Sequence, residues 1–111
     1  MYLHSHHGQG DFRPYSGIKI EPMNQESRDV KIIYSGLLAK SGAEHVYLHA
    51  GFGKRRGWEK VSDQLMENTA RGWEKTIIMD KKDDQLNFCF KDCANNWDNN
   101  HGENWTYVLT D

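Results

Sequence analysis

The chain has few cysteines, no long apolar run and no excess of positive charge. Cys89 and Cys93 are its only two cysteines in 111 residues, too few for a disulfide framework or a four-ligand structural zinc site. Their spacing leaves a bridge across a strand end open, and two free thiols fit it better. No apolar stretch approaches the roughly 20 residues that span a bilayer. Met1 to Gly8 lack the charged-then-apolar order of a secretory leader. The expectation is a soluble chain, cytoplasmic or cut from something larger. A net charge of −2 and a pI near 6.3 leave no basic face for phosphate neutralisation, so neither nucleic acid nor membrane is expected as a partner. Catalytic motifs are missing too. There is no Gly-x-Ser-x-Gly, no Gly-rich phosphate loop and no His-Glu-x-x-His. Sixteen acidic residues include no pair marked out as the acid and base of a glycosidase.

What remains is one domain's worth of chain with a modest apolar fraction, 37%, in which aromatics supply 12%. Large rings must therefore carry much of the burial. Residues 1–17 read as a flexible N-terminal arm with three His and three Gly. His4, His6 and His7 could cluster on a metal, but a loose arm accounts for them, and no metal or other cofactor is expected.

From residue 18 to 111 the chain reads as one all-β domain. Val30 to Tyr34 is β-branched and aromatic, and Ser35-Gly36 stops it. Glu44 to Ala50 alternates and is stopped by Gly51-Phe52-Gly53. Trp73 to Met79, Gln85 to Phe90 and Trp105 to Leu109 complete the set. Short alternating runs separated by turn residues predict an antiparallel β-sandwich. Trp58 to Met66 is ambiguous. Val61, Leu65 and Met66 could share a helix face, but its extended neighbours favour an edge strand. Lys54-Arg55-Arg56 reads as a solvated basic tip.

Period-two geometry then sorts the faces. Val46, Leu48 and Ala50 point inward, which puts His49 outside at the strand end. Leu86, Phe88 and Phe90 point inward, which sends Asn87 and Cys89 to a surface or a second layer. The segment Asn95 to Trp105 places two indoles among amides and carboxylates in what must be a turn, because Asn, Asp and Gly tolerate left-handed angles. A turn needs no indole. A ring among amides suits a ligand with apolar C–H faces and many hydroxyls, as sugars have. Trp97 is the stronger candidate, because Trp105 opens an alternating strand.

Three segments in order carry a resemblance: Val46-Tyr47-Leu48-His49-Ala50-Gly51-Phe52-Gly53 with Trp58, then Gly72-Trp73-Glu74-Lys75-Thr76-Ile77, then Leu86 to Asp92 running into Trp97-Asp98-Asn99-Asn100-His101-Gly102 and Asn104-Trp105. Together they resemble the starch-binding carbohydrate-binding modules of families 25 and 53, which accompany amylases and starch synthases. The resemblance implies an immunoglobulin-like β-sandwich that binds α-1,4-glucan without catalysis, needs no cofactor, and is attached to or associated with a glucan-active enzyme. It implies that His49, Trp58 and Trp97, with Asn99 and Asn100, form the sugar site. The loop before Trp58 is more basic than is usual there, and Trp73 matches a strand start whose ring belongs to the core. Two other functions stay open on the residues alone. One is a protein-interaction module anchored by Trp58 and Trp97, and the other a small hydrolase using Asp98 and Glu103.

Overall fold

The computed structural model describes residues 2–5, 11–13, 16–23, 28–79 and 82–109. In chain order its elements are β1 (Tyr2–Ser5), β2 (Asp11–Arg13), β3 (Ile18–Pro22), β4 (Val30–Tyr34), α1 (Leu37–Lys40), β5 (Val46–Phe52), β6 (Glu59–Leu65), β7 (Glu67–Thr69), β8 (Gly72–Ile77), β9 (Gln85–Asp92), β10 (Trp97–Asp98) and β11 (Trp105–Leu109). One sheet runs β1-β11-β9-β5-β6, with β10 also paired to β9, and the other runs β2-β3-β4-β8-β7. Every pair is antiparallel except β1 with β11. The all-β antiparallel sandwich expected from the sequence is the architecture found.

Alternation builds the core. Ile18, Ile20, Val30, Ile32 and Tyr34 from one sheet are buried in a single cluster with Val46, Leu48, Leu86, Phe88, Phe90, Trp105 and Tyr107 from the other. The Tyr34 ring stacks on Phe90 with centroids 3.9 Å apart, which ties the two sheets together. Trp73 is buried in the same cluster, as a strand-start ring should be.

Two expectations shift at their edges. The strand read from Glu44 begins at Val46 and continues through Gly51 to Phe52, because β6 and β9 pair with it on either side. Part of the stretch read as a loose arm is paired, with β1 lying along β11 and β2 along β3. His6 and His7 of the proposed cluster lie outside the described residues. The segment after Trp58 is an edge strand rather than a helix. Val61 and Leu65 face solvent, at 48% and 52% exposure, so no apolar helix face exists to bury.

Four carboxylates are held below their usual range. Glu21 is held chiefly by Arg71, Asp63 by His49 and then Lys91, Glu74 by Thr69, and Asp92 by Asn96. A depressed native pKa means that the unfolded chain binds more protons in acid. This stability is present above about pH 4 and is lost as pH falls through the native values. Thermal melts should show Tm falling steadily below about pH 4.

Candidate functional site

β5 supplies the first side chain. With Val46, Leu48 and Ala50 in the core, His49 emerges half-buried on the outer face of the sheet. Gly51 lies two residues further along the same face, and its missing side chain makes room for Trp58. A Cβ at Gly51 would sit 2.8 Å from the Trp58 Cβ and 3.0 Å from a Val61 methyl. The indole therefore lies directly on the strand beside His49. Its Nε1–H donates to the Arg55 carbonyl at 2.7 Å, which closes the loop over the sheet. The Arg55 guanidinium reaches across to the Glu103 carboxylate at 3.2 Å, joining this loop to the Asn-rich turn. The tip read as solvated is thus exposed at Lys54 and Arg56 but engaged at Arg55.

The turn is built from inside itself. The Asp92 carboxylate accepts from the Ala94 and Asn96 amides and from the Asn96 side chain. Asn95, Asn100, His101 and Asn104 adopt positive φ between 56° and 63°, where Asn costs less than most residues. The Asn99 side-chain oxygen accepts from the Gly102 amide at 2.9 Å, and the Asn99 carbonyl from the Asn104 amide at 2.7 Å. Beneath them the Tyr34 hydroxyl donates to Asp98 at 2.5 Å and accepts from the Leu38 amide at 3.0 Å. Burial first, and then Asp98, hold the Tyr34 proton far above the usual phenol range. This bond fastens the residue beside Trp97 to the core. Trp97 itself stays 44% exposed.

The result is an open groove of about 450 Å³ lined by His49, Trp58, Trp97 and Asn99, with Cys89 and Asn104 among the remaining walls. His49 stands between the two indoles. Its ring lies 5.7 Å from Trp58 at an interplanar angle of 38°, and 5.2 Å from Trp97 at 89°. The difference between these two angles sets a floor of 51° on the inclination of one indole to the other. Four of the five residues singled out in the sequence meet here. Asn100 does not, because its amide donates to the Asn104 carbonyl at 3.0 Å and the residue lines the neighbouring cavity. Asn104 takes a place in the groove that the sequence reading did not give it.

Two residues that no motif announced contact the walls of the groove. Asp63 lies opposite His49 in the β5–β6 register, and its two oxygens take His49 Nδ1 at 2.5 Å and Lys91 Nζ at 2.9 Å. The Lys91 ammonium lies 5.5 Å from the Trp97 ring centre. Knowledge of which strands are neighbours is needed to find these pairs.

Cys89 is in the second layer that alternation had allowed for, buried in the groove at 3% exposure. Asn87, on the same face, is covered by the loop before Trp58, where its amide donates to the Gly53 carbonyl at 2.9 Å. Both cysteines are free. Burial, reinforced by Asp63 and Asp98, pushes the Cys89 thiol up to about 12, whereas Cys93 is exposed. A thiol reagent such as Ellman's should titrate one thiol in the folded protein, at Cys93, and two after denaturation. Rapid reaction of both would place Cys89 in solvent.

Comparison with known proteins gives a consistent result. The family model for the starch/carbohydrate-binding module of family 53 matches residues 30–88, a span that includes His49 and Trp58 and ends before the Trp97 turn. An alpha-amylase of Clostridium acetobutylicum is 33% identical over 100 residues, which cover 86% of this chain and 12% of the amylase. The chain thus spans a small part of that relative's length. No solved structure matches it. With a family match over more than half of the chain, this protein belongs to the family 53 starch/carbohydrate-binding modules.

Proposed function

We propose that this module binds α-1,4-glucan chains, such as starch, glycogen or malto-oligosaccharides, without cleaving them. The observation that carries the proposal is the pair of indoles inclined by at least 51° around His49 over an open groove. An α-1,4-glucan curves, so consecutive glucose units can each lay an apolar face on one of two inclined rings. Indole has the largest such face, and covering it gains roughly 25 cal/mol per Å². His49 and the Asn99 NH2 group, whose neighbouring oxygen is taken by the Gly102 amide, then bond sugar hydroxyls, which orients the chain and gives specificity.

Non-catalytic binding is favoured by what the nearby carboxylates already do. Asp98 holds the Tyr34 hydroxyl, and Glu103 holds Arg55. Each is thus engaged in fastening the turn to the rest of the fold. The relative named as an alpha-amylase supports a module that keeps a glucan-active enzyme on its polymer, whether in one chain or by association.

Native gels cast with and without dissolved starch test the proposal, with retardation in starch expected. In calorimetry with maltoheptaose, His49→Ala should weaken binding by about 1 to 2 kcal/mol, the scale of a lost hydrogen bond plus partial contact. Unretarded migration in starch would reject the glucan reading, and unchanged affinity in the variant would remove His49 from the site.

A further inference from the structure

We propose that Asp63, itself held by Lys91, is a positioning residue that fixes the His49 ring so that Nε2 presents a lone pair to a glucan hydroxyl. The proposal rests on the glucan reading for its ligand, and on geometry alone for the state of the ring. An ionised carboxylate accepts hydrogen bonds and donates none. Asp63 Oδ1 lies 2.5 Å from His49 Nδ1, so Nδ1 must carry the proton that joins them. In a neutral imidazole the other nitrogen is then bare. Lys91 occupies the second Asp63 oxygen at 2.9 Å, and the hydrogen bonds from His49 and Lys91 keep this carboxyl below the usual range. The carboxylate therefore stays an acceptor at neutral pH.

The arrangement follows from the sheet. β6 brings Asp63 opposite His49, and β9 brings Lys91 opposite Tyr47, so one residue from each flanking strand closes on the central one. Lys91 also sits over the Trp97 ring at 5.5 Å. The chain Trp97–Lys91–Asp63–His49 thus runs from one stacking ring to the hydrogen-bonding ring without passing through the ligand. Its consequence is polarity. Where the imidazole is neutral, the sugar hydroxyl that meets His49 donates, and an orientation that offers only an acceptor there is rejected.

Two measurements test this. Long-range ¹⁵N–¹H correlation of the ligand-free wild-type protein at about pH 8 should show His49 protonated at Nδ1 and bare at Nε2. The proton on Nε2 would overturn the proposal, whatever the protein binds. The second is a double-mutant cycle read by calorimetry with maltoheptaose. Asp63→Ala should weaken binding about fivefold in the wild type, and by nothing further in the His49→Ala background. The same loss in both backgrounds would show that Asp63 acts through its charge or the fold and would overturn the positioning role. If the wild type binds no maltoheptaose, the glucan reading falls, and the ring's protonation state still decides the role of Asp63.

Discussion

Replacing Trp97 with alanine should take maltoheptaose binding below the limit of calorimetry while leaving the protein folded. Trp97 is the most exposed ring in the groove, at 44%, so much of its surface is open to a ligand. An aromatic anchor in a small interface costs about 2 kcal/mol or more on truncation, and more when neighbouring contacts depend on it. Here they do. The indole and the His49 ring meet edge to face at 5.2 Å and Lys91 lies over the indole ring, so both lose a wall when it goes. The combined loss should reach about 3 kcal/mol, roughly a hundredfold or more. The fold does not depend on this ring. β10 is two residues long, and the turn is closed by Asp92, Asp98 and the Asn99 amide rather than by the indole. Losing one edge-on aromatic contact costs about 1 kcal/mol, which moves Tm by about 5 °C or less. A variant that unfolds would make Trp97 structural. One that folds and still binds would place the stacking surface elsewhere.

The fold was legible where alternation ran long enough to leave a trace. Val30–Tyr34 and Trp105–Leu109 were read with their true ends, because β-branched and aromatic residues fill them and turn residues bound them. Ile18–Pro22 was not read as a strand, although Ile18 and Ile20 are fully buried, because two isoleucines beside a glycine-rich arm make too short a pattern. β10 has two residues and no periodicity at all.

The site divides in a similar way. His49 and Trp97 were legible because each violates its surroundings, a His on the outer face of a core strand and an indole in a polar turn. Gly51 was misread as a strand stop. It lies inside β5, and its function is visible only when the Trp58 Cβ is seen 2.8 Å from where its own would be. Asp63 and Lys91 lie 14 and 42 positions from His49, in strands whose adjacency no local pattern encodes. The choice among amides was hidden for another reason. Asn99, Asn100 and Asn104 are chemically alike, and only the folded turn decides which polar atoms it consumes, the Asn100 NH2 on the Asn104 carbonyl and the Asn99 side-chain oxygen on the Gly102 amide.

Chain shape should decide which glucans bind. Trp58 and Trp97 cannot be coplanar, since their inclination is at least 51°, and no flat ribbon can lie on both at once. Glucose covers one ring only and keeps less than half of the apolar contact, so its binding should be negligible. Affinity should appear with maltose or maltotriose and level off once the chain covers the groove. Cello-oligosaccharides offer the same hydroxyls on a flat chain, so at equal length they forfeit one stack. By analogy with bases stacking on aromatic side chains, each stack is worth on the order of 1 to 3 kcal/mol. That is roughly a five- to hundredfold preference for maltohexaose over cellohexaose. The Trp58→Ala variant should erase most of this preference, because a single ring accepts either chain. Titrating both hexaoses into the wild type and that variant checks the argument. Equal affinity in the wild type would sink the inclined-platform mechanism even if the module still bound sugar. A preference that survives intact in Trp58→Ala would move the discrimination from the pair of rings to the hydrogen bonds of His49 and Asn99.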